Sequence, residues 1–191
     1  MQLDTQLLSG TGANGQHLGV RAVTSINTVA YTDGTPTTAE ALPKLYDGIQ
    51  KVATGRHRRA DTMVIHPRRA AWFASNLSST FPLFQQGGFY RGVGEQNQGF
   101  MSNFAGLPNI VIDANISTEN GASTDEDEIY VCYSPDLILM EGPLRAAVYE
   151  DVLSGTLEVR MQIFSYSAFI SGRYPTGITK ISGTGLKAPV F

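Results

Sequence analysis

Residues 157–170 constrain the fold more than any other part of the sequence. Apolar and polar residues alternate there with a period of two, as expected for a half-buried strand. The apolar positions are first Leu157, Val159, Met161 and Ile163, and then Phe164, Tyr166, Ala168 and Ile170. The shift by one residue after Ile163 moves the apolar side chains to the opposite face. Two structures fit this pattern: a β-bulge, or a long strand that leaves one lobe and enters another.

The composition excludes several classes of protein. Apolar residues make up 42% of the 191 residues and charged residues 16%, whereas intrinsic disorder needs low hydrophobicity and high charge. The formal net charge of −3 argues against binding to phosphates over a broad surface. The single cysteine, Cys132, excludes an intrachain disulfide and a zinc site with several thiolates. We find neither a membrane-spanning stretch nor a signal peptide, so we expect a compact cytosolic protein.

The remaining segments predict an α+β protein with helices early and strands late. Residues 37–40 form a Thr-x-x-Glu capping box that opens a helix, which Gly55 is suited to end. Pro43 predicts either a kink or a later start of that helix. Pro67 suits the first position of a second helix. Short strands are predicted at residues 63–65, 107–112, 129–133, 137–140, 146–149 and 178–181.

No catalytic, cofactor-binding or metal-binding residues are predicted. Residues 10–15 match the string G-x-G-x-x-G, but a phosphate site needs a strand before this string and a helix after it. No helical pattern follows, so a glycine turn is favoured over a nucleotide site. The three histidines are scattered, and no G-x-S-x-G string is present. Cys132 lies in an apolar strand, where a thiol is buried and inert.

Three groups of residues are candidates for contacts between molecules. Residues 81–104 are rich in Gly, Gln and Asn without any period, and a loop of this length usually serves binding or assembly. Five of the ten arginines lie within residues 56–69 and fit an acidic partner, although a solvated helix end is the simpler interpretation. Residues 125–128 are all acidic but lack the EF-hand pattern, so a solvated turn is favoured over a cation site.

An ordered series of motifs resembles the C-terminal part of tailed-phage major capsid proteins of the Hong Kong-type family. The glycine-containing entry at residues 8–12 and 18–20 is followed by a strand-to-helix step at residues 63–68. A Gly-Leu-Pro strand at residues 106–111 comes next, and then the long strand at 158–169. The Arg-Tyr-Pro-Thr-Gly-Ile ending lies at residues 173–178. The five motifs occur in the family's order across nearly the whole chain.

The resemblance implies a fold with an axial lobe around a central sheet and a partial peripheral lobe with long strands. We expect residues 1–34 and 144–172 in the peripheral lobe, and residues 35–143 and 173–191 in the axial lobe. The implied function is a structural protein whose copies tile an icosahedral shell around double-stranded DNA. The expected assembly contacts are Arg58, Arg59, Arg68, Arg69, Phe84, Phe89, Tyr90 and Arg91, with Asp125, Glu126, Asp127 and Glu128 of a neighbouring subunit as acidic partners.

The implied partners are other copies of the chain, in pentamers and hexamers. Scaffold, portal and decoration proteins are further expected partners, and packaged DNA is contacted only non-specifically. We expect no cofactor, no enzymatic activity and no membrane contact. The implied location is the virion capsid, with assembly in the bacterial cytoplasm.

The sequence departs from the family in two respects. The family's N-terminal arm, extended loop and spine helix normally precede the first matched motif, so a shortened form or a remnant prophage gene is expected. Some members crosslink through a lysine and an asparagine assisted by a glutamate. Glu158 and Ser165 occupy the asparagine and glutamate positions here, so this crosslink is not expected.

Two other functions remain open at this point. The first is an encapsulin-type bacterial compartment shell, which shares the fold but encloses a protein cargo. The second is a nucleotide-binding enzyme that uses the glycine-rich turn at residues 10–15.

Overall fold

A five-stranded mixed sheet lies at the centre of the protein. The computed structural model describes residues 2–75, 77–78, 81–82, 109–149 and 159–190. The strands of the sheet are β1 (Asn27–Ala30), β2 (Thr62–Ile65), β5 (Asn109–Ile112), β6 (Ile129–Cys132) and β11 (Ile178–Ser182), in the spatial order β1-β11-β6-β2-β5. The pairs β1–β11 and β2–β5 are parallel, whereas β6 is antiparallel to both of its neighbours. Between β2 and β5 in the sequence, β3 (Leu77–Ser78) and β4 (Phe81–Pro82) form a separate short pair.

The described residues contain three α-helices, α1 (Gln2–Ser9), α2 (Thr38–Arg56) and α3 (Pro67–Ser75). The predicted capping box opens α2: the Glu40 backbone N–H donates to Thr37 Oγ1, and the Thr37 N–H donates to Glu40 Oε2. Pro43 lies inside α2, so a later start at this proline is wrong. The helix ends at Arg56, one residue beyond Gly55, and His57 follows in the left-handed region with φ of 55°. Pro67 is the first residue of α3, as predicted.

The core lies on both faces of the central sheet. Helices α2 and α3 contribute Leu45, Val52 and Phe73 to the larger cluster, which includes Met63 and Ile65 of β2. A smaller cluster on the other face holds Val20, Tyr130, Cys132 and Ile178. All four residues of β6 are buried, because the central strand has apolar neighbours on each side. This explains why residues 129–132 read as a continuous apolar run in the sequence.

Two antiparallel ribbons lie outside the central sheet. One pairs β7 (Ile138–Glu141) with β10 (Ser167–Ile170), and the other pairs β8 (Arg145–Tyr149) with β9 (Arg160–Phe164). The predicted strand at residues 157–170 is therefore divided at Ser165 and Tyr166, where the chain exchanges one partner strand for another. The register changes by one residue between the two ladders, since Ser167 is opposite Glu141 and Phe164 is opposite Arg145, as a bulge predicts. The passage from one lobe to another stays a prediction.

Several predicted features lie outside the described residues. They are residues 83–104 of the long loop, residues 106–108 of the Gly-Leu-Pro motif, and residues 157–158 of the long strand. The assignment of lobes stays a prediction. Strand β1 lies within the segment that is expected in the peripheral lobe. In the structure it belongs to the central sheet, where it pairs with β11. In addition, β7 and β10 pair across the expected boundary between the lobes. No helix of the described residues is long and apolar enough to span a bilayer.

Cys132 is buried in β6, as predicted. Burial raises the pKa of its thiol to about 12, with a smaller contribution from the carboxylates of Asp61 and Asp136. Because only the thiolate reacts, we expect native protein at neutral pH to resist a thiol reagent such as Ellman's reagent. One thiol per chain should react after unfolding. A native protein that reacts as rapidly as the unfolded one would contradict this assignment.

Candidate assembly surface and charged clusters

The structure describes most, but not all, of the predicted contact residues. Arg58 and Arg59 are exposed and follow the end of α2. Phe84, Phe89, Tyr90 and Arg91 lie outside the described residues. Arg68 and Arg69 belong to the first turn of α3, and the acidic run at residues 125–128 precedes β6. Contacts of Arg58 and Arg59 with a neighbouring subunit stay a prediction.

The structure joins Arg68, Arg69 and Asp127 in one buried cluster. Asp127 is fully buried, and its two carboxylate oxygens accept hydrogen bonds from Arg68 Nε at 2.7 Å and from Arg69 Nε at 2.9 Å. Arg68 also donates to the carbonyl oxygens of Thr118 and Asp125. A buried carboxylate without such partners would cost several kcal/mol. The second charged partner and the additional hydrogen bonds therefore explain how this cluster exists inside the protein.

Arg69 links the cluster to the C-terminal segment. Only 1% of this residue is exposed, and a terminal nitrogen donates to the carbonyl oxygen of Lys187. Its guanidinium carbon lies 4.8 Å from the centre of the Trp72 ring, within the range of a cation–π contact. Burial lowers the pKa of Arg69, and the neighbouring Asp127 opposes that shift. Asp127 also donates its backbone N–H to the Leu186 carbonyl at 2.7 Å, so the cluster holds residues 186–187 against α3.

Glu128 belongs to a second cluster on the other side of β6. Its carboxylate accepts a hydrogen bond from the Tyr130 hydroxyl at 2.6 Å and one from Lys180 Nζ at 3.2 Å. Arg21 Nε lies 3.7 Å from the same carboxylate. Burial, followed by the Glu128 charge, raises the pKa of the Tyr130 hydroxyl, which therefore remains a hydrogen-bond donor. Glu128 thus connects the central sheet to the short 3₁₀ helix at Val20–Ala22.

These contacts correct the expectations for the acidic run. Glu126, Asp127 and Glu128 are buried, so the solvated turn is wrong. The ion pairs of Arg68, Arg69, Asp127 and Glu128 are formed within one chain, whereas the sequence predicted pairs between subunits. Neighbouring side chains of an extended segment point to opposite faces. Asp127 therefore faces α3, whereas Glu128 faces the opposite side of the sheet.

His66 caps α3 through its ring. The Arg68 N–H donates to His66 Nδ1 at 3.2 Å, which requires an unprotonated Nδ1. Burial lowers the pKa of His66 from its ordinary value of 6.5, and the positive charge of Arg68 also lowers it. The negative charges of Asp127 and Asp113 raise the pKa but do not cancel the effect of burial. The unfolded chain therefore binds the proton more readily than the folded one. This stabilisation is complete above the unfolded pKa and is lost as the pH falls through 6.5 towards the lower folded pKa.

We expect His66→Asn to reduce the pH dependence of stability below neutral pH. The asparagine side chain can cap the helix without titrating. Urea unfolding at neutral and at mildly acidic pH measures the free energy of unfolding of both proteins. The wild type should lose more stability than the variant on acidification, because only the wild type carries a titrating ring at this position. Equal losses in the two proteins would contradict the role of His66.

The ribbon β8–β9 carries an exposed apolar face that the sequence did not predict. Met161 is 68% exposed and Ile163 61% exposed, so the prediction of a half-buried strand is wrong for β9. In the antiparallel register Met161 is opposite Val148, and Ile163 is opposite Ala146. These four side chains share one face of the ribbon. The other face carries Arg145, Arg160 and Gln162 together with Ala147, Tyr149 and Phe164, so all the polar residues of the ribbon lie on that face.

The glycine-rich segment at residues 10–15 forms a turn rather than a phosphate-binding loop. It follows the C-terminal end of α1, and Thr11 and Leu18 form an isolated antiparallel bridge across it. An open cleft of about 640 Å³ separates this turn from the β7–β10 ribbon and is lined by His17, Glu141 and Ser167 among others. His17 Nε2 and Ser167 Oγ are 2.9 Å apart. The geometry of a nucleotide site, with a helix N-terminus facing the phosphates, is not found at these residues.

In the described part of the chain, no group of three or more His, Cys, Asp or Glu side chains is arranged to hold a metal ion.

The fold is similar to that of solved structures of viral particles. The chain matches the "capsid structure of the Cyanophage P-SCSP1u" over 95% of its length, with a TM-score of 0.56 and 10% sequence identity. It matches a structure from Gordonia phage Cozz over 95%, with a TM-score of 0.56 and 15% identity. A virus-like particle from Pyrococcus furiosus matches over 93%, with a TM-score of 0.52 and 13% identity.

The likeness defines the fold of the chain. The chain spans 60%, 58% and 61% of the length of these three matched chains. The described elements therefore form the phage capsid fold that the sequence motifs predicted. No protein-family model matches the sequence, and no curated protein is significantly similar to it.

Proposed function

We propose that the chain is a structural subunit of a phage or prophage capsid. The observation that carries the proposal is the likeness of the backbone to phage capsid structures over 95% of the chain. In this proposal, copies of the chain form pentamers and hexamers that tile an icosahedral shell around double-stranded DNA. In a heterologous contact, two different surfaces of neighbouring subunits meet. A series of such contacts closes into a ring, as such a shell requires.

The surface chemistry of the described residues supports this role. The chain has 16% charged residues, and charged residues are depleted where protein surfaces meet. Large exposed apolar residues are concentrated on β8 and β9, where Val148, Met161 and Ile163 are each more than half exposed. Contiguous apolar surface of this kind marks an interaction site. We therefore place the apolar face of the β8–β9 ribbon among the surfaces that become buried when the shell assembles.

The proposal extends to partners and location. Scaffold, portal and decoration proteins would contact the assembled shell, and the net charge of −3 is consistent with only non-specific contact to DNA. The subunit would act in the virion after assembly in the bacterial cytoplasm, without catalysing a reaction. The assignment of residues 1–34 and 144–172 to a peripheral lobe, and of residues 35–143 and 173–191 to an axial lobe, also belongs to this proposal.

A matched pair of substitutions on β9 tests the proposed surface. Met161→Asp introduces a charge on the apolar face, whereas Gln162→Asp introduces the same charge on the opposite face. Both positions are exposed, so each variant should unfold within about 0.5 kcal/mol of the wild type. We expect Met161→Asp to prevent formation of large particles in sedimentation velocity, in the polypeptide that carries this chain. Gln162→Asp should leave assembly intact. Normal assembly of both variants would contradict the role of this face.

The likeness to the Pyrococcus virus-like particle supports a second candidate, an encapsulin-type compartment shell. The two candidates differ in the content of the particle. Particles purified after nuclease treatment should contain protected double-stranded DNA if the chain is a phage capsid subunit. Particles that hold a second protein and no nucleic acid would instead support the compartment shell.

A further inference from the structure

The sequence contains two Asn-Gly dipeptides. The fold leaves the asparagine of one exposed and buries that of the other. The two dipeptides are Asn14-Gly15, in the glycine-rich turn, and Asn120-Gly121, before β6. Asn-Gly is the dipeptide most prone to spontaneous deamidation, because glycine has no side chain to hinder attack by its own backbone nitrogen. Whether a given Asn-Gly reacts depends on how freely its amide and backbone can reach the reactive geometry.

Asn14 lies in an exposed turn. Asn14 and Gly15 are both exposed, with φ of 53° and 78°, as in the two-residue turn that Asn-Gly favours. No heavy atom lies within 4 Å of the position that a Gly15 Cβ would occupy. The turn is closed by a bond from the Gln16 N–H to the Ala13 carbonyl at 3.0 Å. An exposed turn held in this way opens locally at low free-energy cost.

Asn120 is held by the fold. It is 8% exposed, and its Nδ2 donates to the carbonyl oxygens of Ser117 at 2.9 Å and Glu126 at 3.0 Å. Its Oδ1 accepts from Arg21 and from the Ser117 hydroxyl. The Glu126 carboxyl packs directly against Gly121. Deamidation at Asn120 therefore requires the loss of several buried hydrogen bonds before the reaction can begin.

We propose that Asn14 is a site of spontaneous deamidation in the native protein and that Asn120 is protected. The backbone nitrogen of Gly15 attacks Cγ of Asn14, and the new N–Cγ bond closes a succinimide ring. The Cγ–Nδ2 bond breaks, and Nδ2 leaves as ammonia with the proton from the Gly15 nitrogen. Water then opens the ring at either carbonyl carbon, which yields aspartate or isoaspartate. Water is the only co-reactant, and no electrons are transferred.

The product changes the turn and the adjacent cleft. Each event adds one negative charge to a chain with a net charge of −3. The charge appears beside Gly15 and His17, which line the cleft next to the β7–β10 ribbon. Isoaspartate also lengthens the backbone by one methylene group within the turn that the Thr11–Leu18 bridge closes. The proposal is independent of the shell function, since it rests only on the turn.

Peptide mapping by mass spectrometry tests the proposal on the full chain after incubation in mildly alkaline buffer. We expect Asn14 to convert more than about tenfold faster than Asn120 in native protein, because only Asn120 must first break buried contacts. In guanidinium chloride the two sites should convert at similar rates, since the dipeptide is the same. Gly15→Ala should slow conversion at Asn14 in both states.

Two outcomes would overturn the proposal. One is equal conversion of Asn14 and Asn120 in native protein. The other is deamidation of Asn14 in the denatured chain but not in the native protein, because this would show that the turn protects Asn14. Fragmentation that separates aspartate from isoaspartate identifies the product, and the presence of both isomers indicates the succinimide route.

Discussion

Asp127→Asn should destabilise the protein by about 3–5 kcal/mol, the range for removing one partner of a buried ion pair. The substitution keeps the shape of the side chain but removes the charge that faces Arg68 and Arg69. Arg69, which is 1% exposed, would then carry a buried charge without its carboxylate partner. Urea unfolding followed by the fluorescence of Trp72, whose ring lies 4.8 Å from the Arg69 guanidinium, measures the free energy of unfolding.

Asp47→Asn is the matched control for this substitution. Asp47 also pairs with a cation, Lys51 at 3.4 Å, but its side chain is 42% exposed on α2. Exposed pairs of this kind contribute about 0.3–0.5 kcal/mol, so the control should be nearly as stable as the wild type. A loss below about 1 kcal/mol for Asp127→Asn would contradict the buried cluster.

A double substitution separates the unpaired charge from a packing defect. Arg69→Met with Asp127→Leu replaces the fully buried pair by apolar side chains, and such replacements are often neutral or stabilising. Arg68 loses the carboxylate as well, but its side chain is 30% exposed and keeps two carbonyl acceptors. We therefore expect the double variant to be more stable than Asp127→Asn. If the double variant is less stable than the single one, the shape of the site rather than its charge determines the loss.

Phe73→Ala should destabilise the protein by about 3–5 kcal/mol, as is typical of deleting a buried aromatic side chain. Phe73 of α3 is fully buried in the larger core cluster, and its ring centre lies 5.0 Å from that of Trp72. The substitution removes this tilted contact and leaves a cavity between α3 and the central sheet. The free energy of unfolding in urea measures the loss.

Tyr46→Ala provides the comparison for Phe73→Ala. Tyr46 is an aromatic residue on α2 and is 54% exposed. Its removal should change stability by no more than about 0.5 kcal/mol. Similar losses for the two variants would contradict the position of Phe73 in the core.

Local sequence signals predicted the elements whose causes are local. The capping box at Thr37 and Glu40 opens α2, and Pro67 begins α3, because each depends on neighbours within one helical turn. The apolar run at residues 129–132 predicted a buried strand because a strand covered on both faces needs apolar side chains at every position. The family motifs predicted the fold that the structural likeness shows.

Features that depend on distant contacts were not predictable in this way. Asp127 is buried because Arg69, 58 positions away in the sequence, lies opposite it in the fold. No local pattern distinguishes this carboxylate from a solvated one. The alternation in β9 correctly indicates that Met161 and Ile163 share a face, but it contains no information about what covers that face. In a single chain Met161 and Ile163 are exposed. Their sequence pattern is nevertheless the same as that of a strand that packs on a hydrophobic core.

Cryo-electron microscopy of particles formed by the polypeptide that carries this chain tests the proposed capsid role most directly. We expect a closed icosahedral shell in which density for the five-stranded sheet and for the β8–β9 ribbon recurs around five-fold and six-fold positions. In that map the apolar face with Met161 and Ile163 should be covered. A polypeptide that remains monomeric at high concentration, with this face open to solvent, would contradict the proposal.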